Sequence, residues 1–457
     1  MKQSQKKHKV PIDYQDRKVC ILGLGFVGLT LAISMADVGF QVIGVEIRDD
    51  LRAQLQSGDP GFFEPGLNVM LQKVLADGSF SIHKTIPSSC DASVYLITVG
   101  TPLDEQKKIN LSNVQTVSET IAEHVKDGDL VILRSTVQLG TSRKIVRPIL
   151  EKAKNLVEVA FCPERTVEGQ AMEELRYLPQ IVGADELPTR IRASHLFQFL
   201  TPTVVQVSSL ETAEFIKLMD NTKRDVSFGF SNEVAFLCDV IGISAKEVIH
   251  AGRFGYSRNN LPLPGPVAGP CLSKDTHILV QSMLEYGVVP EIAKSARAMN
   301  ERQPADVAYF LKKFIDQLGD FPNRPIISLL GIAFKGSPAT DDLRGTAAKE
   351  ILEILHRAFP LAHFCGFDPI VSQENIKQFG VEPKKNLEEA FQGAHLVCIL
   401  NNHALFSQMP LETLALQMAR PGVIYDFWNN YEREMLCLPA DLHYIALGSH
   451  KFAKSGS

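Results

Sequence analysis

Cysteine is sparse and scattered along the 457-residue chain. Cys20, Cys90, Cys162, Cys238, Cys271, Cys365, Cys398 and Cys437 form no Cys-x-x-Cys pair. That spacing suits neither a zinc site nor a disulfide framework, and a chain this long can bury its cores without staples. Reduced thiols in the cytoplasm and no bound metal are therefore expected. Charge of one sign is lacking too: 47 Lys+Arg face 52 Asp+Glu, a net of −5. A slightly acidic chain does not carry the basic footprint of a nucleic-acid binder, although a local basic patch can still serve a small anion. Glycine (31) and proline (25) are near average, which excludes collagen-like and low-complexity chains. No repeat of roughly 20–50 residues is visible. Met1 to Lys18 carries Lys2, Lys6, Lys7 and Lys9 but no apolar stretch, so it makes a poor signal peptide. One run, Val19 to Phe40, is long enough for a bilayer. It contains Gly23, Gly25, Gly28 and Asp37, and a buried strand–turn–helix accounts for it better than a membrane span does.

What remains is an ordinary globular composition, 45% hydrophobic and 22% charged. At ~150 residues per domain the length allows about three domains. Lys18 to Leu22, Gln41 to Glu46, Ala92 to Val99 and Leu130 to Leu133 read as buried strands alternating with helical patterns, which predicts a doubly wound parallel sheet. From Ser209 to Ile241, Phe215, Ile216, Met219, Val226, Phe230, Val234 and Leu237 recur at helical spacing. The Pro/Gly-rich segment Leu261 to Pro270 interrupts that pattern, which resumes from about Thr276 to Leu318. A second α/β pattern follows, with strands at Pro325 to Gly331, His363 to Asp368, Leu396 to Leu400 and Val423 to Asp426. Gly448 to Ser457 reads as a loose tail.

Gly23-Leu-Gly-Phe-Val-Gly28 follows the first strand and opens a helix. Alone, such a pattern is a weak signal. Its context is specific: Glu46 ends the next strand, close to the ~20-residue offset of a dinucleotide fingerprint. Gly23 permits the tight turn, Gly25 lets the backbone approach a pyrophosphate, and Gly28 allows close helix–strand packing. The helix N-terminus faces the anion. Glu46 would accept from a ribose 2′-hydroxyl and repel a 2′-phosphate, which favours NAD over NADP; nearby Arg48 weakens that preference slightly. Val99-Gly-Thr-Pro102 and Arg134-Ser-Thr-Val137 look like strand-end loops of the same crevice, though each read alone is more readily an ordinary turn.

Cys271 stands in Gly269-Pro-Cys-Leu-Ser-Lys-Asp275. Most lone cysteines are small buried hydrophobes. Here Lys274 can favour the thiolate and Asp275 offers a carboxylate in the same turn, so a nucleophile competes with the structural reading. On the long helix, Lys217 and Asn221 lie at i and i+4 on one face. They can stabilise a developing oxyanion, or simply belong to a solvated face with Glu211, Glu214 and Lys223.

These motifs in this order resemble the UDP-glucose/GDP-mannose dehydrogenase family, from about Lys18 to Leu447. The resemblance is carried by Gly23–Gly28, Val99–Pro102, Ser135-Thr-Val137, Cys162-Pro-Glu-Arg165, Lys217/Asn221, Cys271 with Lys274-Asp275, Leu330-Gly-Ile-Ala-Phe-Lys335, and Asp341-Asp-Leu-Arg344. It implies an α/β fold: two Rossmann-like doubly wound parallel-sheet domains joined by a long central helix and helical section. The implied boundaries are a tail at 1–17, an NAD-binding domain at 18–207, a helical dimerisation domain with the catalytic Cys loop at 208–319, a UDP-binding domain at 320–447, and a tail at 448–457. The implied reaction is a four-electron oxidation of a nucleotide sugar's C6 hydroxyl to a carboxylate with two NAD. Cys271 would form a thiohemiacetal and then a thioester. Lys217 and Asn221 would stabilise charge on oxygen. Asp275 or Glu164 would assist hydrolysis, with Thr136 positioning the water.

The cofactor contacts it implies are Gly23, Gly25, Phe26, Val27, Gly28, Glu46, Gly100, Thr101, Pro102, Ser135, Thr136, Lys274 and Arg344. The substrate contacts are Glu164, Arg165, Lys217, Asn221 and Lys335, with Arg253 or Arg258 reaching a neighbouring subunit's substrate. A homodimer through the central helix, no nucleic-acid or membrane partner, and a role in polysaccharide biosynthesis are implied as well. The sequence departs from the family at Ala268-Gly269-Pro270, where two glycines and a small or His residue are usual, and at Ser273, where proline is frequent. It also lacks a glycine in Asp104 to Asn110. Cys162-Pro-Glu-Arg165 with Gly169 is similar to the N-acetylhexosamine branch, whereas the glucose branch carries Asn-Pro-Glu-Phe. Arg165 could bond an acetamido oxygen or hold its loop. UDP-N-acetylmannosamine is thus the first expected substrate, then UDP-N-acetylglucosamine or UDP-N-acetylgalactosamine, with UDP-glucose open. Competing readings are a one-step alcohol or hydroxy-acid dehydrogenase, which would not need Cys271, and a catalytically silent nucleotide-sugar binding protein.

Overall fold

The computed structural model describes residues 9–153 and 155–450. Most of the basic N-terminal stretch and residues 451–457 of the expected tail lie outside the described residues. The chain divides into two compact units. One holds the residues up to Asp220 together with His277–Val289; the other holds Asn221–Thr276 together with the residues from Pro290 on.

The first unit is built on eight strands: β1 (Lys18–Leu22), β2 (Gln41–Val45), β3 (Phe80–His83), β4 (Val94–Ile97), β5 (Leu130–Leu133), β6 (Glu158–Phe161), β7 (Gln180–Gly183) and β8 (Val204–Val207). Their order is β3-β2-β1-β4-β5-β6-β7-β8. Every pairing is parallel except β6 with β7. Strand order reverses between β1 and β4, the crevice where doubly wound sheets bind ligands. Alternation along β1 explains the layering. Val19 and Ile21 face one core with Leu96 of β4, while Cys20 and Leu22 face the other with Tyr95 and Ile97. A sheet buried on both faces needs continuous apolar strands, and these are the strands that the sequence makes conspicuous. Cutting Leu96 back to Ala would open a cavity at a cost of roughly 2–5 kcal/mol.

Val19 to Phe40 resolves into β1, a turn, and the helix Phe26–Val38, which ends at Gly39 in the left-handed conformation (φ 112°). Among the described residues no helix is long and apolar enough to cross a membrane. None of the eight cysteines, all among the described residues, is in a disulfide.

The second unit repeats the plan with β9 (Ile326–Leu330), β10 (His363–Phe367), β11 (Glu382–Pro383), β12 (Leu396–Ile399), β13 (Gly422–Asp426) and β14 (Leu442–Ala446). The order is β11-β10-β9-β12-β13-β14, all parallel. Its faces also alternate: Ile327, Leu329, Leu396 and Cys398 enter one core, and Leu330, Val397 and Ile399 the other.

The long helix is continuous from Leu210 to Ile241. The expected Thr276–Leu318 helical stretch is two helices, Asp275–Leu284 and Glu291–Asp316, broken where Gly287 (φ 74°) and Pro290 stand between them. Gly448 to His450, expected as part of a loose tail, are fastened down. The Gly448 carbonyl accepts from Ala245 N at 2.9 Å. His450 Nδ1 lies 3.0 Å from Asp239 Oδ2, its Nε2 lies 2.9 Å from the Tyr425 hydroxyl, and its ring stacks on Phe310 at 3.7 Å.

Candidate functional site

In the first unit the glycine turn leaves β1 at Gly23, whose φ of 95° only glycine adopts without strain. A Cβ on Gly28 would run into the Gly23 carbonyl and the Thr98 hydroxyl, so the helix packs on the strand only with glycine there. A Cβ on Gly25, by contrast, would meet open space. Steric fit to the protein does not demand glycine at position 25, whereas close approach by a ligand would. The helix that follows begins at Phe26 with no side-chain cap, which leaves its first amides available to an anion. Phe26 itself packs on Phe62, with ring centroids 5.1 Å apart.

Glu46 is buried at the end of β2. Its Oε2 accepts from Leu24 N and its Oε1 from Arg48 N, both at 3.0 Å. It therefore holds the glycine turn, and each oxygen keeps a lone pair for a further donor. The Arg48 guanidinium pairs with Asp50 at 3.4 Å. The loops after β4 and β5 are tied side by side. Thr101 donates to the Thr136 carbonyl at 2.6 Å and Ser135 to the Val99 carbonyl at 2.7 Å. Asn113 Nδ2 holds the Gly100 carbonyl at 3.0 Å, and Pro102 is exposed. An uncapped helix start, an open Gly25 face and an acidic residue ending β2 fit a dinucleotide without a 2′-phosphate.

The same unit holds a second cluster. Glu164 is buried; its Oε2 accepts from Arg134 Nη2 at 2.6 Å, and its Oε1 from Arg165 N at 2.7 Å and Thr166 N at 2.8 Å. Burial pushes this carboxyl up, but the Arg134 charge and these hydrogen bonds, with Lys217 contributing, hold it below its ordinary range. Glu164 is thus a fixed carboxylate and a poor proton donor. Arg134 also donates to the Cys162 carbonyl at 3.0 Å and to Gln180 Oε1 at 2.9 Å, and lies 5.1 Å from the Phe197 ring centre. Arg165 donates to the Pro179 carbonyl at 2.6 Å and pairs with Asp220 at 3.3 Å, contacts that hold its loop. Lys217 is buried, 8% exposed, and makes no ion pair among the described residues. Glu214, one turn earlier on that helix, accepts from Gly140 N at 2.5 Å and Ser142 N at 2.8 Å, and burial raises its carboxyl to about 6.

In the second unit the nucleophile candidate occupies a tied loop. Gly269 adopts φ 96° and donates to the Gly345 carbonyl at 2.8 Å; a Cβ there would enter the Phe334 ring. Ser273 closes the loop by donating to the Gly269 carbonyl at 2.6 Å. The Cys271 carbonyl accepts from Lys274 N at 3.0 Å and Asp275 N at 2.8 Å, which starts the helix Asp275–Leu284. Cys271 is exposed and sits in the turn that leads into that helix, on the side of its N-terminus, where the dipole favours an anion. Asp275 is buried, and its Oδ2 accepts from Asn221 Nδ2 at 2.6 Å. Its Oδ1 has no hydrogen-bond partner among the described residues, with Lys274 Nζ 3.9 Å away.

The remaining candidates sit nearer the surface. Lys335 lies 5.4 Å from the Phe334 ring centre. Arg344, exposed, chelates Asp342 at 2.7–3.0 Å. Arg253 donates to the Leu261 carbonyl at 3.1 Å, and Arg258 is exposed over the Tyr256 ring at 4.7 Å. Asn221, Cys271, Lys274 and Asp275 thus cluster in one unit, and Glu164 with Lys217 in the other. Arg134, named from the sequence only as the first residue of a strand-end loop and not as a site residue, had one signal: an arginine placed directly at the end of an apolar strand.

Three family domains match in order: the NAD binding domain over residues 17–201, the central domain over 211–302 and the UDP binding domain over 328–433. The UDP-N-acetyl-D-mannosamine dehydrogenase of Pyrococcus horikoshii is 31% identical over 89% of this chain and 94% of its own length. The enzyme of the same name from Campylobacter jejuni is 32% identical over 86% and 97%. Among solved structures, the Pyrococcus horikoshii UDP-D-ManNAc dehydrogenase superposes with a TM-score of 0.85 at 28% identity, covering 95% of this chain and all of that one. With the domains in order and relatives matched along nearly their full length, the chain belongs to the UDP-glucose/GDP-mannose dehydrogenase family.

Proposed function

We propose that this protein is an NAD-dependent nucleotide-sugar 6-dehydrogenase that oxidises a UDP-N-acetylhexosamine, UDP-N-acetylmannosamine first, to the corresponding uronic acid. The observation that carries the reading is the exposed Cys271 in the turn leading into a helix, four residues before a buried carboxylate fixed by Asn221 at 2.6 Å. A one-step alcohol dehydrogenase has no use for that arrangement. The relatives named for UDP-N-acetylmannosamine supply the sugar.

Gly23, Gly25, Gly28, Glu46 and the 99–102 and 135–136 loops would hold the cofactor. NAD, when bound, supplies a hydride acceptor for each of the two oxidations. The chain's residues do the rest. Lys217 and Asn221 stabilise negative charge on the C6 oxygen. The Cys271 thiolate adds to the C6 aldehyde, forming a C–S bond while the carbonyl oxygen takes up a proton. Loss of a second hydride from that carbon, with the hydroxyl giving up its proton, leaves a thioester. Water then breaks the C–S bond, giving the carboxylate and returning the thiol. Asp275 takes the water's proton, because its Oδ1 has no hydrogen-bond partner among the described residues while Glu164 already accepts three hydrogen bonds. Thr136 positions that water.

Lys274 and Arg344 contact the cofactor, Lys335, Glu164 and Arg165 the substrate, and Arg253 or Arg258 a neighbouring subunit's substrate. The domain limits are those of the sequence reading, 18–207, 208–319 and 320–447. A cytoplasmic homodimer acting in polysaccharide biosynthesis completes the reading. Exposed apolar residues on the long helix, Phe230, Phe236, Leu237, Val240 and Ile241, support dimerisation, which a light-scattering mass tests.

The deciding experiment is a panel of UDP- and GDP-sugars assayed for NADH. Two NADH per UDP-N-acetylmannosamine and an acid product are expected. One NADH with a carbonyl product would refute the double oxidation, and a preference for UDP-glucose would refute the sugar. Cys271→Ser should abolish acid formation while leaving NAD and UDP-sugar binding intact.

A further inference from the structure

Two charged side chains without a role so far lie against the Cys271 loop. Asp225 stands one turn beyond Asn221 on the long helix, and Arg297 is on the helix Glu291–Asp316. They are 0% and 4% exposed. Arg297 Nη1 donates to Asp225 Oδ1 at 2.9 Å and to the Leu272 carbonyl at 2.7 Å. Asp225 Oδ2 accepts from the Thr276 hydroxyl at 2.8 Å. Asn300, one turn beyond Arg297, donates to Asp225 Oδ1 at 2.8 Å and to the Asp225 carbonyl at 2.9 Å. Its own Oδ1 accepts from Asn232, which also pairs with both backbone groups of Gly265 at 3.0 and 3.1 Å.

The network therefore grips the chain at three points. It holds Leu272, directly after the nucleophile candidate; Thr276, directly after the carboxylate; and Gly265, in the segment leading in. Burying an arginine and an aspartate is costly, and apolar residues of equal volume often serve stability as well or better. Stability alone gives little reason for charge here. The contacts with Leu272 and Thr276 give another, since both ends of the reactive turn are set by one ion pair.

We propose that Asp225 and Arg297 are positioning residues that fix Cys271 and Asp275 for attack on the C6 aldehyde. The proposal rests on the reading of Cys271 as nucleophile. Neither residue touches substrate; each acts through the loop. A guanidinium can serve Asp225 and the Leu272 carbonyl together, whereas the shorter lysine would keep the charge and lose one of the two bonds.

The test uses the full-length chain with Arg297→Gln, Arg297→Lys and Asp225→Asn, given UDP-N-acetylmannosamine, NAD and a hydrazine trap. Ångström-scale misplacement of a reacting group costs about a hundredfold in rate. Arg297→Gln should thus lower kcat by about that factor, leave KM within about threefold, and release trappable aldehyde. Arg297→Lys should recover about tenfold of the loss. A folded Arg297→Gln variant with wild-type kcat and no trapped aldehyde overturns the proposal. So does an equal loss in Gln and Lys variants without aldehyde, which a merely structural role would produce. If the Gln variant does not fold, the Lys variant decides on the same split: lowered kcat with unchanged KM and released aldehyde supports positioning, and wild-type kcat refutes it. Wild-type protein that makes one NADH per sugar and a carbonyl product refutes the nucleophile reading itself, a result distinct from all of these.

Discussion

Replacing Arg134 by methionine isolates the electrostatics of Glu164. The two side chains are 1% and 8% exposed and meet at 2.6 Å, so solvent screening does little to weaken the pair. Methionine preserves much of the volume and removes the charge, which strands a carboxylate supported only by two amides and the more distant Lys217. Breaking a buried pair in this way costs roughly 3–5 kcal/mol. The Cys162 carbonyl and Gln180 Oε1 lose their donor as well, at about 1 kcal/mol each. At about 2–4 °C per kcal/mol for a unit of this size, the pair's loss lowers Tm by roughly 6–20 °C. The pH dependence carries the sign. In the wild type the folded-state carboxyl lies below its ordinary 4.5, so its contribution is present above 4.5 and fades as pH falls through the folded value. In the variant, burial acts without the arginine and the folded value lies above 4.5. The folded state then holds the proton more tightly, and stability falls as pH rises through that window. The variant's deficit should therefore be small near pH 5 and largest at pH 8. Adding Glu164→Gln should flatten the profile and return part of the stability. Urea melts of both variants between pH 5 and 8 measure this. An equal deficit at both ends would refute uncompensated charge as the cause.

Two further predictions concern the same unit. Gly25→Ala should melt within about 2 °C of wild type, because its Cβ meets nothing, yet lose at least about tenfold in NAD affinity by calorimetry; a matched loss of stability would mean the turn itself had moved. Glu214, raised to about 6, contributes the opposite slope to Glu164: the folded state binds its proton more tightly, so stability falls by about 2 kcal/mol as pH rises from 4.5 through 6. Glu214→Gln should remove that fall from thermal melts over the same range, and an unchanged profile would assign the slope to another group.

The parts legible in the sequence are those with local causes. β1, β4 and β5 are conspicuous because both faces are buried, and the long helix because its apolar period persists over many turns. β3, with buried and half-buried residues alternating, and β8, with no fully buried residue, carry no apolar run to find. β11 is two residues long. In the site, the glycine turn and the Cys271 loop are written into short segments. Arg134, Asp225 and Arg297 are not, because each is a charge whose burial is made tolerable by a partner distant in sequence. Read alone, such residues resemble solvent-facing positions. Arg165 shows the converse: its motif marked it as important, and its contacts with Pro179 and Asp220, which no local pattern announces, hold its loop.

The two sheets then pose a question that topology cannot answer. Both run in the same strand order, and in both an acidic residue at the end of the second strand grips the turn after the first. Glu46 takes Leu24 N; Asp368 takes Ile332 N and Ala333 N at 2.7 and 3.0 Å, with Ile370 N and Val371 N on its other oxygen. What differs is where the helix starts. After Gly23 it begins at Phe26, uncapped, with its first amides available. After Gly331 it begins only at Ala347, and Thr346 caps it by accepting from Ala348 N. The intervening amides of Gly336 and Ser337 are taken by Asn402 at 2.8 and 3.1 Å. A pyrophosphate needs unsatisfied donors at a helix start, and in this comparison the first turn offers them where the second does not. The difference between a dinucleotide site and a site of another kind thus lies in fewer than twenty residues after one strand, not in the sheet that carries them.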